Sequence, residues 1–205
     1  TQHLSVNHAV LWDKWKTLES GFRKRRLNLE DFDKSPPFES YEDAWVDCFQ
    51  KTFAELDLNG DSVAAVRVCL RGLGCRPIFP ETLDVISKLH GSVKLAILSN
   101  ADDSFLHPLL DRHGLKRYLS YILSSEASRT YKPHPAIFRQ VLSHLDIDPR
   151  ATLMVGDALH EDVQGAGSVG MQTAWINRRM SPREHSQPNP DYEVQNLTEL
   201  LNIVA

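Results

Sequence analysis

From residue 77 onward the chain repeats one pattern. Short apolar runs at 93–98, 119–124, 152–156 and 172–176 alternate with amphipathic stretches at 80–90, 103–113, 135–146, 161–169 and 196–203. Runs of that length bounded by turn residues read as buried strands, and the longer stretches with apolar positions three and four apart read as helices. Strand and helix in strict alternation imply right-handed crossovers and a parallel sheet. The apolar run at 7–12 is expected to add a first strand, which makes five. Residues 19–76 break the pattern. They hold no strong strand, and the clearest segment, 41–56, places Ala44, Trp45, Cys48, Phe49, Phe53 and Leu56 on one helical stripe, with Ser40 and Asp43 placed to cap its start. The expected organisation is an α/β core made of 1–18 and 77–205, interrupted by a helical insert at 19–76.

Composition narrows the class. With 205 residues, 41% of them hydrophobic, the chain can bury a sizeable core. A net charge of −4 gives no electrostatic footprint for nucleic acid. The three cysteines, Cys48, Cys69 and Cys75, have no CxxC spacing, so neither a disulfide framework nor a thiolate metal site is expected, and a reducing cytoplasm is the expected compartment. No apolar stretch approaches the ~20 residues that span a bilayer, and no signal peptide is expected. The chain opens at Thr1 rather than on methionine, which leaves room for residues upstream. The segment DLNGDS at 57–62 imitates a calcium loop, but its glycine is at the fourth position and Val68 stands where the closing glutamate belongs, so it reads as a turn. Residues 177–190 read as an exposed polar loop, in which Arg178 and Arg179 are candidates to reach an anion but read better as solvated.

Four segments carry candidate chemistry: VLWDKWKTL (10–18), LAILSNAD (95–102), TYKPHP (130–135) and MVGDALHEDVQGAG (154–167). Each follows or abuts a run read as a strand, so Asp13, Ser99 with Asn100, Lys132, and Asp157 with Asp162 are expected at strand carboxyl ends, where open parallel sheets bind ligands. The Ser99 hydroxyl suits a phosphoryl oxygen, and the Lys132 ammonium suits a phosphate or carboxylate. Two carboxylates at one strand end suit a hard cation such as Mg²⁺. Taken singly, each segment has a plainer reading as a turn, a surface lysine or a helix cap; their joint order is what points to a site.

That order resembles the haloacid dehalogenase (HAD) superfamily of hydrolases over nearly the whole chain. The resemblance is carried by Asp13 and Thr17, Ser99, Lys132, and Asp157 with Asp162, and by the flanking phrases RPIFPETLDVISKL, KPHPAIF and PDYEVQNLTELLNIV. It implies a Rossmann-like three-layer sandwich around a central five-stranded parallel sheet, with 19–76 as a small α-helical cap. It further implies Asp13 as nucleophile, forming an aspartyl-phosphate. Mg²⁺ would be held by Asp13, the Trp15 carbonyl and Asp157, with Asp162 orienting the metal shell. Ser99, Asn100 and Lys132 would hold the substrate, while Thr17 and Trp15 complete the loop and pocket. The substrate would be a small phosphorylated metabolite, acted on by a monomer or homodimer.

One departure bears on the reaction. Phosphatases of the superfamily carry a second aspartate where this chain has Trp15, and an indole has no proton to give or take near neutral pH. A slow phosphatase is expected, since general acid–base help is worth about 10²–10⁴ in rate. Dehalogenases of the superfamily carry an aromatic residue there and use no metal, so metal-free cleavage of a carbon–halogen bond is the alternative reading. A ligand-binding protein without turnover is the third. A cap arginine for a substrate carboxylate would be Arg23 or Arg26, from a run that reads better as a solvated helix face; Lys51, a candidate Schiff-base lysine, lies on the polar side of its helix.

Overall fold

The computed structural model describes residues 5–204, so residues 1–4 and 205 of the segments grouped above lie outside it. The chain divides into two compact units, Thr1–Arg76 with Ala101–Leu109, and Pro77–Asn100 with Leu110–Ala205.

The first unit is helical. It holds α1 (His8–Arg25), α2 (Tyr41–Glu55) and α3 (Ser62–Gly74). The strand expected at 7–12 is absent, and α1 takes its place. The Asn7 side chain accepts from the Ala9 amide at 2.8 Å and starts the helix. Trp15, Glu19 and Phe22 then recur with helical period on the buried side. A six-residue apolar run cannot by itself separate a strand from the first turns of such a helix. α1 thereby carries residues 8–18 into the first unit, whereas the sequence pattern grouped 1–18 with the α/β core.

Aromatic packing holds this unit together. Trp15 stacks on Phe49 (centroids 5.4 Å apart) and meets Trp45 edge-on at 5.5 Å, and Phe22 meets Tyr41 edge-on at 5.6 Å. The α2 stripe is buried at Ala44, Trp45, Cys48, Phe49 and Phe53, with Thr52 beside them. Two side chains cap α2. Ser40 accepts from the Asp43 amide at 3.0 Å, and the buried Asp102 carboxylate accepts from the Tyr41 and Glu42 amides at 3.0 and 2.7 Å. The DLNGDS segment is the turn between α2 and α3, with the Asp61 side chain capping α3.

The second unit is α/β with parallel strands. After α4 (Thr82–Leu89) comes β1 (Ala96–Ser99); the chain then passes through α5 (Asp103–Arg112), which belongs to the first unit up to Leu109, to β2 (Tyr121–Ser124), which runs directly into the single turn α6 (Ser125–Ser128). Then follow α7 (Pro135–Leu145), β3 (Leu153–Gly156), a π-helical turn at Leu159–Gln164 continued by α8 (Gly165–Gly167), β4 (Gln172–Ile176), β5 (Tyr192–Val194) and α9 (Leu200–Ile203). The single five-stranded sheet is corrected: among the described residues the strands form a two-stranded sheet, β1-β2, and a three-stranded sheet, β3-β4-β5, all parallel. β5 was not foreseen, because a three-residue strand inside a polar segment leaves no period to read.

Helices cover both faces. Met154 of β3 packs with Leu98, Leu123, Ile137 and Phe138, while its neighbours Leu153 and Val155 pack with Ala174, Val194 and Leu200 on the other side. Alternate residues of one strand thus feed two cores, as a pleat of period two requires. No described helix is long and apolar enough to cross a membrane.

Candidate functional site

The site predicted at strand carboxyl ends divides between the two units. In the first, Asp13 is exposed on α1 rather than at a strand end. Thr17, also exposed, donates its hydroxyl to the Asp13 carbonyl at 2.9 Å, the ordinary back-bond of a helical threonine, so DKWKTL is helical here rather than a loop. Trp15 is 6% exposed and belongs to the aromatic core, and its carbonyl lies inside the α1 ladder. Among the described residues the indole N–H groups of Trp15 and Trp45 have no acceptor. The arginine run divides too. Arg23 pairs with Glu19, and Arg26 is buried and donates to the Tyr41 hydroxyl, beside a cavity of about 180 Å³ also lined by Phe22, Arg25 and Glu39. Lys51 pairs with Asp47 on the surface.

In the second unit Asn100, Lys132 and Asp162 are joined by short contacts beside Ser99. Ser99 ends β1, and Asn100 follows it. The Asn100 side chain grips the Lys132 peptide at both ends: Oδ1 accepts from Lys132 N–H at 2.8 Å, and Nδ2 donates to the Lys132 carbonyl at 3.1 Å. The second Nδ2 hydrogen goes to Glu161 Oε2 at 3.0 Å, so both donors of Asn100 are spent on protein rather than substrate. The Lys132 ammonium is almost wholly buried. It donates to the Leu98 carbonyl at 3.1 Å and pairs with Asp162 Oδ1 at 2.6 Å, linking the ends of β1 and β3. An ammonium has three hydrogens, and the third has no acceptor among the described residues.

Asp162 reaches this position because Gly156 ends β3. A side chain at Gly156 would collide with the Asp162 carboxylate, and one at Gly165 would collide with the Phe138 ring. The π-helical turn that carries Asp162 also returns its Oδ2 to the Ala158 amide at 3.0 Å. Asp157 is the exposed member. Its carbonyl accepts from the Trp175 indole at 3.0 Å, and its carboxylate has no partner among the described residues. Glu161, the two glycines and the Leu98 carbonyl were not named from sequence. For Gly156 the signal was present, since it ends an apolar run just before Asp157; for Gly165 and for a main-chain carbonyl there is none.

Of the expected Mg²⁺ donors, Asp13 and the Trp15 carbonyl belong to the first unit, and Asp157 and Asp162 follow β3 in the second. Both Asp162 oxygens are engaged, Asp13 and Trp15 are on α1, and no group of three acidic, histidine or cysteine side chains suited to a metal occurs among the described residues. Arg178, a candidate anion contact, pairs with Glu81 at 2.7 Å and lies 3.5 Å over the Phe79 ring. A hydrogen bond at its own main chain and the Arg178 pair hold the Glu81 carboxyl below its usual range. Arg179 is exposed.

The second unit is thus a parallel α/β fold with a buried lysine–aspartate pair beside its strand ends. The chain belongs to the haloacid dehalogenase-like hydrolase family, whose model matches residues 7–170. It is similar to haloacetate dehalogenase H-2 of Moraxella sp. (strain B), 27% identical over 80% of this chain and 73% of that protein. It is also similar to phosphoserine phosphatase of Thermus thermophilus, 30% identical over 60% of this chain and 50% of that protein. In fold it matches the HAD-hydrolase YfnB of Bacillus subtilis, with a TM-score of 0.76 over 97% of this chain and 84% of that one at 23% identity. The chain thus spans half of one of these two curated relatives and about three quarters of the other.

Proposed function

We propose that this hydrolase acts on a small anionic substrate and that the substrate is a phosphomonoester. The observation that carries the reading is Lys132: a buried ammonium at strand carboxyl ends, fixed by Leu98 and Asp162, with one hydrogen left to donate. In this reading the third hydrogen meets a phosphoryl oxygen and the Ser99 hydroxyl meets a second. Asp162 holds the ammonium in place, so little reorganisation is needed when charge builds on the substrate. The exposed Asp157 carboxylate stands at the mouth of the same strand end.

A second reading is supported by a specific likeness, the haloacetate dehalogenase that aligns over 80% of the chain. There Lys132 would hold a haloacid carboxylate or the departing halide.

One assay separates them. Release of inorganic phosphate is followed over a panel of phosphomonoesters, with Mg²⁺ and with EDTA, beside halide release from 2-chloropropionate, for the wild type and Lys132→Met. Phosphate release that Lys132→Met abolishes is the expected result. Halide release without phosphate release would replace it with the second reading. Silence in both assays would overturn both.

A further inference from the structure

Glu161 and Asp162 are neighbours on one π-helical turn, yet their carboxylates serve opposite ends of the same lysine. Asp162 takes the Lys132 ammonium at 2.6 Å. Glu161 accepts from Asn100 Nδ2 at 3.0 Å, and Asn100 grips both the N–H and the carbonyl of Lys132. We propose that Glu161 is a positioning residue for Lys132, acting through Asn100. The inference rests on the reading of Lys132 as the group that binds the substrate anion.

The chemistry of the amide carries the argument. An asparagine side chain can present either end, and a carboxylate can only accept. Glu161 therefore fixes the orientation in which nitrogen faces both Glu161 and the Lys132 carbonyl while oxygen faces the Lys132 N–H. The flipped orientation would set two pairs of oxygens against each other and leave the Lys132 N–H without an acceptor. A hydrogen bond to an ionised acceptor is also stronger than one between neutral groups. With Glu161 removed, Asp162 still holds the ammonium, but the main chain beneath it loses its brace. The ammonium would then be tethered and no longer aimed. Glutamine in place of Glu161 keeps an accepting oxygen at the same reach, so it should restore the brace without the charge.

The test compares wild type, Glu161→Ala and Glu161→Gln in ¹⁵N-labelled protein. Hydrogen exchange of the Asn100 side-chain amide is followed by NMR, with the Trp175 indole N–H, which bonds the Asp157 carbonyl, as the internal control for general loosening. Inorganic phosphate is titrated in parallel. Loss of one such bond predicts about tenfold faster Asn100 exchange and about tenfold weaker phosphate binding in Glu161→Ala, with Glu161→Gln within about threefold of wild type and the indole unchanged. Unchanged Asn100 exchange in Glu161→Ala overturns the proposal. Glu161→Gln as impaired as Glu161→Ala also overturns it, because the charge and not the bond would then matter, and so does equal acceleration at the indole. If wild type binds no phosphate, the functional reading fails by itself, and the exchange comparison still decides whether Glu161 braces Lys132.

Discussion

The helical unit and the parallel-sheet unit solve the problem of specifying a structure in different ways. The first is held by a continuous aromatic cluster, Trp15, Trp45, Phe49, Phe22 and Tyr41, with the buried Arg26–Tyr41 contact beside it. The second keeps its apolar residues in two cores on either face of its strands and builds a polar clamp at their carboxyl ends. Aromatic packing is tolerant in its chemistry, since many shapes fill a core. A buried ion pair has no such tolerance, because each partner is costly without the other.

The largest effect that would break this contrast concerns Lys132 and Asp162, whose side chains are 10% and 5% exposed. Asp162→Asn should cost about 3–5 kcal/mol by stranding a buried ammonium, measured by urea unfolding, with Lys132→Met/Asp162→Leu recovering part of the loss. The exposed Lys51–Asp47 pair is its control, and Lys51→Ala should cost under about 0.5 kcal/mol. Should the two substitutions cost the same, the clamp has no special standing. For the helical unit, Phe22→Ala, at a residue 1% exposed, should cost about 3–5 kcal/mol. A conservative Phe22→Leu should cost much less, which no conservative change at Lys132 would match.

Thiol chemistry sharpens the comparison next. Burial pushes the Cys48 thiol from 9.0 up to about 11, with the Asp47 charge adding to it. At pH 8 a maleimide should label exposed Cys75 readily and Cys48 many times more slowly. A group whose folded pKa is raised favours the fold below its unfolded pKa, so this contribution fades as pH rises from 9 to 11. Glu81 has the opposite sign. Its carboxyl lies below 4.5 when folded, so its contribution is present above that value and is lost as pH falls through the lowered one. The acid slope of the melting temperature should flatten in Glu81→Gln. The smallest effect is expected at Asp13→Asn, an exposed helical position, where stability should change by under about 0.5 kcal/mol.

What the sequence determined by itself was whatever repeats or stays local. Strand and helix alternate often enough after residue 77 to declare a parallel α/β unit, and the α2 stripe and its Ser40 cap follow from spacing alone. Ser99, Lys132 and Asp162 could be named because their segments occur in one order along the alternating pattern. Residues 7–12 failed for the same reason the others succeeded, since a short apolar run is compatible with either period, and Asp13, Thr17 and Trp15 fell with it. Only the tertiary structure decided that the strands form two sheets, that Asn100 braces Lys132 rather than meeting a ligand, and that Asp162 is occupied by an ammonium. Those outcomes depend on which groups come within hydrogen-bonding reach across about thirty residues or more of chain, and no local pattern encodes a distance of that kind.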